Sequence, residues 1–141
     1  MEEIAMTPPS QGEVCIESEG DIVLARRRVR ELAIATGFSS TDVTRVVTAA
    51  SELARNVFQY AGKGAMRWRT IENNGRSGLE LQFADQGPGI ADVKIAFQDG
   101  FSTGEGLGMG LPGTRRLMDE MEIQSPPGQG TTVTIKKWRK I

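Results

Sequence analysis

Glu52 and Asn56 stand four residues apart in the run Ser51-Glu52-Leu53-Ala54-Arg55-Asn56. On a helix that spacing puts a carboxylate and an amide on one face, where the first can take a proton and the second can offer a carbonyl oxygen to a hard cation such as magnesium. Asn in a helix interior costs up to ~0.7 kcal/mol relative to Ala, so its side chain is expected to have other work there. A second block, Asp85-Gln86-Gly87-Pro88-Gly89, sets an acidic acceptor before two glycines. Asp85 can accept from the exocyclic amino group of adenine, where guanine presents a carbonyl, and Gly87 and Gly89 let the backbone approach a base and act as a hinge for the next segment. A third block runs Gly104-Glu105-Gly106-Leu107-Gly108-Met109-Gly110 and leads into Leu111-Pro112-Gly113. Pro112 suits a first helical turn, so the amides of Gly108, Met109, Gly110 and Leu111 point at whatever precedes that helix, where its dipole favours an anion. Together the three blocks read as a magnesium nucleotide site whose phosphates are held by backbone amides and the metal.

Each block also has a bland reading. Glu52 alone is an ordinary salt-bridged surface residue, Asp85 alone caps a strand-to-loop turn, and a glycine run alone is a flexible loop. The run is not a Walker loop, since no Gly-Lys-Ser/Thr ends it, and not a Rossmann fingerprint, since polar loop residues rather than a strand precede it.

The elements that must position these residues follow from periodicity. Residues 1–12 form a loose polar leader ahead of a single domain over 13–141 whose first strand covers Glu13 to Glu17. Apolar residues at helical spacing from Ile22 to Ala35 (Val23, Leu24, Val29, Leu32, Ala33) predict an amphipathic helix stopped by Gly37. Ser40-Thr41-Asp42 is the cap region of a longer helix to about Tyr60, with Val43, Val46, Val47, Ala50, Leu53, Ala54 and Val57 as its buried stripe. Gly62-Lys63-Gly64 breaks it. Ala65–Glu72 and Leu79–Asp85 predict a hairpin joined through residues 73–78. A short helix is expected around Ala91–Gln98, a helix from Leu111 to Met121, and final strands Glu122–Ser125 and Thr131–Trp138 around the Pro126-Pro127-Gly128-Gln129-Gly130 turn. This order predicts an α/β (α+β) two-layer sandwich: one mixed sheet covered on one face by helices.

Composition narrows the chemistry. The 141 residues carry a formal net charge of -1, so no overall positive field draws nucleic acid or anionic lipid, and neither is expected as a partner. The basic runs Arg26-Arg27-Arg28 and Lys136-Lys137-Trp138-Arg139-Lys140 read as a solvated face and tail. Cys15, the single cysteine, excludes an internal disulfide, reads as a small apolar filler and fits a reducing cytoplasm. No signal-peptide pattern or membrane-length apolar run is present. The chain has no histidine, which removes Ser-His-Asp and Cys-His chemistry, histidine-ligated zinc and an internal phosphohistidine.

On these blocks the chain resembles the histidine-kinase-like (GHKL) ATPase superfamily. Glu52 to Asn56 are similar to its N box, Asp85 to Gly89 to its first glycine box, Gly104 to Gly110 to its second, and Gly128 to Thr131 to its adenine-side Gly-x-Gly-Thr. Within it the likeness is closer to the anti-sigma-factor-like serine/threonine kinases, and among them to the RsbT-type switch kinases of the bacterial stressosome. Tyr60-Ala61-Gly62-Lys63-Gly64, Asp99-Gly100-Phe101-Ser102-Thr103, Gly110-Leu111-Pro112-Gly113 and Arg116-Leu117-Met118-Asp119-Glu120 carry it, over about Ile22 to Trp138. The resemblance implies a Bergerat-type ATP-binding fold with a mostly antiparallel sheet, ATP and Mg2+ binding, and phosphoryl transfer to a serine or threonine of a STAS-domain protein. A switch of partner toward a downstream phosphatase would come next. It implies Glu52 as base, Asn56 as magnesium ligand, Asp85 as adenine reader with Thr131 assisting, Gly87 and Gly89 as hinge, and Gly104, Gly106, Leu107, Gly108, Met109, Gly110 and Leu111 as phosphate lid.

Two other classes remain in view. A nucleotide-gated anti-sigma-like module would sequester a partner without phosphorylating it, but binding alone does not need a base at Glu52. A stand-alone ATP hydrolase would have to manage with a short lid that shields water attack poorly.

Overall fold

Alternating apolar and polar residues build five strands, and 3.6-residue periodicity builds the helices laid across them. In a computed structural model, which describes residues 8–86, 110–126 and 128–140, the elements are β1 (Gln11–Ile16), α1 (Glu19–Thr36), α2 (Ser40–Ala61), β2 (Gly64–Asn73), β3 (Arg76–Asp85), α3 (Gly110–Leu117), β4 (Glu120–Gln124) and β5 (Thr132–Trp138). The strands form one sheet in the order β1-β2-β3-β5-β4. Every pairing among them is antiparallel, so the described sheet contains no parallel pair of the kind a mixed sheet would show. The fold is α+β, with a two-layer arrangement of helices on the sheet.

Register decides which side chains meet the helices. Val14, Met66, Phe83, Val133 and Ile123 lie across one row of the sheet, and Trp68, Leu81, Ile135 and Met121 across the next. These pack with the buried faces of α1 and α2 into one core. The opposite face carries Glu13, Arg67, Arg69 and Glu80, with Glu13 and Arg67 paired at 2.9 Å and Arg69 paired with Glu80. Such alternation is the mark of an antiparallel sheet with one wet face.

Helix ends are set by local chemistry. Ser18 accepts from the Asp21 amide at 3.2 Å and Ser39 from the Asp42 amide at 3.1 Å, each satisfying an amide that the first turn leaves without a carbonyl. The cap of α2 is therefore Ser39, one residue before the expected region. Gly37 and Gly62 end the two helices at φ 93° and 77°, a left-handed conformation that other residues adopt at a cost. The β2–β3 hairpin turns on Asn74 and Gly75, at φ 54° and 78°, as a two-residue turn with both positions left-handed requires. Its strands extend closer to the turn than the residue types indicate.

Four expectations need correction. Val23 and Leu24 are 43% and 49% exposed; the buried stripe of α1 is Ile22, Ala25, Val29, Leu32 and Ala33. The apolar residues at 23 and 24 fall outside the arc that this spacing turns to the core. Secondly, α3 stops at Leu117, well short of Met121, because the Asp119 amide donates to the Lys136 carbonyl at 3.0 Å and Glu120 enters β4 opposite Lys136. Thirdly, Lys137 is no part of a solvated tail: it points inward from β5 and is 4% exposed. Lastly, Cys15 is exposed, on the outward side of edge strand β1. In the leader, Pro9 accepts from Trp68 Nε1 at 3.1 Å and Ser10 from the Thr70 amide at 2.8 Å. The expected helix at 91–98 lies outside the described residues. No helix among the described residues is long and apolar enough to cross a membrane.

Candidate functional site

Glu52 and Asn56 lie on α2 at the edge of its buried stripe, both half-buried. Arg55 Nη1 stands 3.4 Å from Glu52 Oε2. The other oxygen, Glu52 Oε1, and Asn56 Oδ1 are buried and have no hydrogen-bond partner among the described residues. Two unsatisfied buried acceptors one helical turn apart carry a desolvation cost of about 1–3 kcal/mol each. Groups kept at that cost are expected to serve something that arrives later. Oxygen donors, one of them neutral, suit a small hard cation that keeps most of its shell for phosphate and water, so the residues present fit magnesium.

Asp85 and Thr131 meet at the ends of β3 and β5. The Asp85 amide donates to the Thr131 carbonyl at 2.9 Å, and the Thr131 amide donates back to Asp85 Oδ1 at 3.2 Å. Thr131 Oγ1 in turn lies 2.8 Å from Ser125 Oγ, which donates to the Gly130 carbonyl at 3.4 Å. Gly130 sits at φ 85°, and a Cβ there would overlap the Asp85 carbonyl oxygen. Only glycine lets the β4–β5 turn close this tightly over the aspartate.

The two pairs are joined at Gly64, the first residue of β2. A Cβ at that position would fall 2.6 Å from Val57 Cγ1 and 3.2 Å from Asp85 Cβ. Val57 follows Asn56 directly, so the missing side chain is what lets α2 approach the aspartate. α3 packs on α2. Its first turn carries no acidic residue and its last carries Arg115 and Arg116, a charge order that leaves the N-terminal end open to an anion. Leu111 is buried and helical from its first turn, and Gly110 opens the helix. Gly87, Gly89, Gly104, Gly106, Leu107, Gly108 and Met109 lie outside the described residues.

The structure thus brings Glu52 to Asn56 and Asp85 to Thr131. The sequence assigned no role at the site to Gly64, Ser125 or Arg55. Gly64 was legible as a glycine opening an alternating strand, a position that marks close backbone approach. Ser125 and Arg55 carry no such signal.

Residues 17–137 match the histidine kinase-like ATPase domain model. The chain is also 48% identical over 125 residues to the serine/threonine-protein kinase RsbT of Bacillus subtilis, covering 89% of this chain and 94% of that protein. The chain belongs to the histidine kinase-like ATPase family, in its RsbT-type branch. An anti-sigma F factor of Caldanaerobacter subterraneus is 32% identical over 105 residues, 69% of this chain and 71% of its own length. Among solved structures, the RsbU and RsbW domains of Rv1364c from Mycobacterium tuberculosis superpose at TM-score 0.64 with 17% identity, over 94% of this chain and 33% of that one. The mycobacterial sensor histidine kinase MprB superposes at 0.55 with 18% identity, over 93% and 99%. These two likenesses speak to the fold alone.

Proposed function

We propose that this RsbT-type chain is an ATP- and Mg2+-dependent serine/threonine-protein kinase. In this reading it works in the cytosol, phosphorylates STAS-domain scaffold or antagonist proteins of a stressosome-like complex and, once released, binds and activates a downstream phosphatase or other output enzyme. The observation that carries the reading is the pair of buried, unpartnered oxygens on one face of α2, Glu52 Oε1 and Asn56 Oδ1.

Asn56 Oδ1 would ligate magnesium, which when bound offsets the charge of the phosphates. The Asp85 carboxylate, held in orientation by the Thr131 amide, accepts from the adenine amino group; a carboxylate has about four acceptor sites, so the Thr131 contact does not exhaust it. Glu52 takes the proton of the acceptor hydroxyl as its oxygen attacks the γ-phosphorus. The bond to the bridging oxygen breaks, ADP leaves with that electron pair, and the phosphate ester stays on the protein partner. Arg55 holds one carboxylate oxygen of Glu52, which leaves Oε1 directed to the proton.

Labelled ATP, magnesium and a purified STAS-domain protein from the same genome test the reading, with label on a serine or threonine of that protein expected. ATP binding without label would favour the alternative, a nucleotide-gated module that sequesters its partner, which the similarity to anti-sigma F factors supports.

Two substitutions separate the roles. Asp85→Asn turns an acceptor oxygen partly into a donor and is expected to weaken ATP binding by ~10-fold or more, the scale of one charged hydrogen bond. Calorimetric titration checks it, and unchanged affinity rejects Asp85 as the adenine contact. Asn56→Ala is expected to raise the magnesium concentration needed for half-maximal ATP binding by ~10-fold, since an oxygen ligand is lost. Titrating metal at fixed ATP measures this, and a superimposable curve removes Asn56 from the metal.

A further inference from the structure

Four large apolar side chains are exposed among the described residues, and three of them, Val23, Leu24 and Ile34, are on α1. Ile34 is the most exposed, at 61%. Val23, Arg27, Arg30 and Ile34 follow one another at steps of four, three and four residues, so they form a single row along the helix, on the side opposite the buried stripe. The row reads apolar, cation, cation, apolar. Both arginines are exposed, and neither has a carboxylate within ion-pair distance among the described residues. Their neighbour Arg28, by contrast, reaches Glu31 at 3.4 Å and lies 5.3 Å from the Trp68 ring centroid.

We propose that this row docks a protein partner whose exposed helix presents the complementary row, apolar, carboxylate, carboxylate, apolar. Charge selects that occupant over two others. A second copy packed about a two-fold axis, helix antiparallel to helix, would bring Val23 against Ile34 but also Arg27 against Arg30. Such like-charge juxtaposition costs several kcal/mol. An anionic bilayer takes an interfacial helix through a continuous apolar face, whereas here the apolar residues stand apart with the cations between them. The row belongs to α1, whereas Glu52 and Asn56 are on α2 and Asp85 and Thr131 meet at the ends of β3 and β5. Docking and phosphoryl chemistry then use separate residues, and the inference holds whether or not the chain transfers phosphate.

The test uses the full chain and two labelled helical peptides that carry Leu-Glu-Glu-Leu or Leu-Lys-Lys-Leu at the same four spacings. Fluorescence anisotropy is expected to show binding of the acidic peptide and none of the basic one. The double variant Arg27→Glu/Arg30→Glu is expected to lose ~10-fold or more for the acidic peptide and to gain the basic one, and Val23→Glu/Ile34→Glu to lose the acidic peptide as well. All four residues are exposed, so the variants should melt with the parent; the wild-type preference between the two peptides decides the question even if they do not. Equal binding of both peptides, or of neither, overturns the proposal. So does binding to phosphatidylglycerol vesicles that the variants abolish while no peptide binds, or a dimer in sedimentation that dissociates on Val23→Glu.

Discussion

Glu52→Ala is expected to slow phosphoryl transfer by ~10²–10⁴ while ATP affinity stays within a few-fold of the parent. The substitution removes the group proposed to take the proton and touches neither the Asp85–Thr131 pair nor Asn56. It also removes a buried oxygen that has no partner among the described residues, so the free protein should keep its stability or gain some. That combination of slower chemistry, retained binding and equal or higher melting temperature is a signature that a structural role for Glu52 would not give. A salt bridge to Arg55 that mattered for folding would instead lower the melting temperature. Single-turnover transfer with calorimetric ATP titration and a thermal melt on one preparation measures all three. Transfer at the parent rate would remove Glu52 from the proton's path.

The second large effect lies in the fold. Asp42, in the first turn of α2, is 2% exposed and is held by Arg45 Nη1 at 2.9 Å, Lys140 Nζ at 3.6 Å and Lys137 Nζ at 3.7 Å. Lys137 is itself buried, donating to the Leu117 carbonyl at 2.9 Å and standing 3.6 Å from Asp119 Oδ1. One cluster thus ties the start of α2 to the end of α3 through β5. Asp42→Ala leaves the Lys137 ammonium buried without its most enclosed counter-charge, and the expected cost is about 3–5 kcal/mol. Urea denaturation at neutral pH checks the figure, and a midpoint equal to the parent's would mean that the cluster contributes nothing net.

The same carboxyl gives a pH dependence with a definite sign. Burial pushes its pKa upward, but the Arg45 hydrogen bond and the charges of Lys137, Lys140 and Arg45 outweigh burial and hold it below the ordinary value. A carboxyl whose pKa is lower folded than unfolded stabilises the fold above its unfolded pKa, about 3.9, and ceases to do so as pH falls through the folded value. The difference in stability between the parent and Asp42→Ala should therefore be full at neutral pH and shrink in acid below about pH 4. A difference that stayed constant into strong acid would count against the carboxylate as the stabilising species.

Both effects involve residues whose roles differ in how far residue order reveals them. The stripe Val43, Val46, Val47, Ala50, Leu53, Ala54 and Val57 is buried as its spacing demands, because a helix of that length has one way to hide seven apolar groups. The hairpin was legible in Asn74-Gly75 for a similar reason: local sterics choose the turn whatever surrounds it. Glu52 and Asn56 were legible too, since four residues on a helix is a distance in space. Where neighbours in space are distant in sequence, residue types said little. Lys137 looks like part of a basic tail until the pairing of β3 with β5 turns it inward opposite Leu79, and α3 ends where a strand carbonyl captures the Asp119 amide. Val23 and Leu24 fit a helical period but not the arc that the sheet covers.

The α1 and α2 helices, the hairpin, the acid–amide pair and the family are settled by residue order, because each rests on contacts within a few residues or on motif order along the chain. Only the assembled fold makes Gly64 the point where α2 reaches Asp85, closes Gly130 and Ser125 over Thr131, puts Asp42 and Lys137 in one buried cluster, and turns an apolar and basic row of α1 outward. The physical reason is that burial and charge pairing depend on which surfaces face each other, and that is fixed by strand order and register.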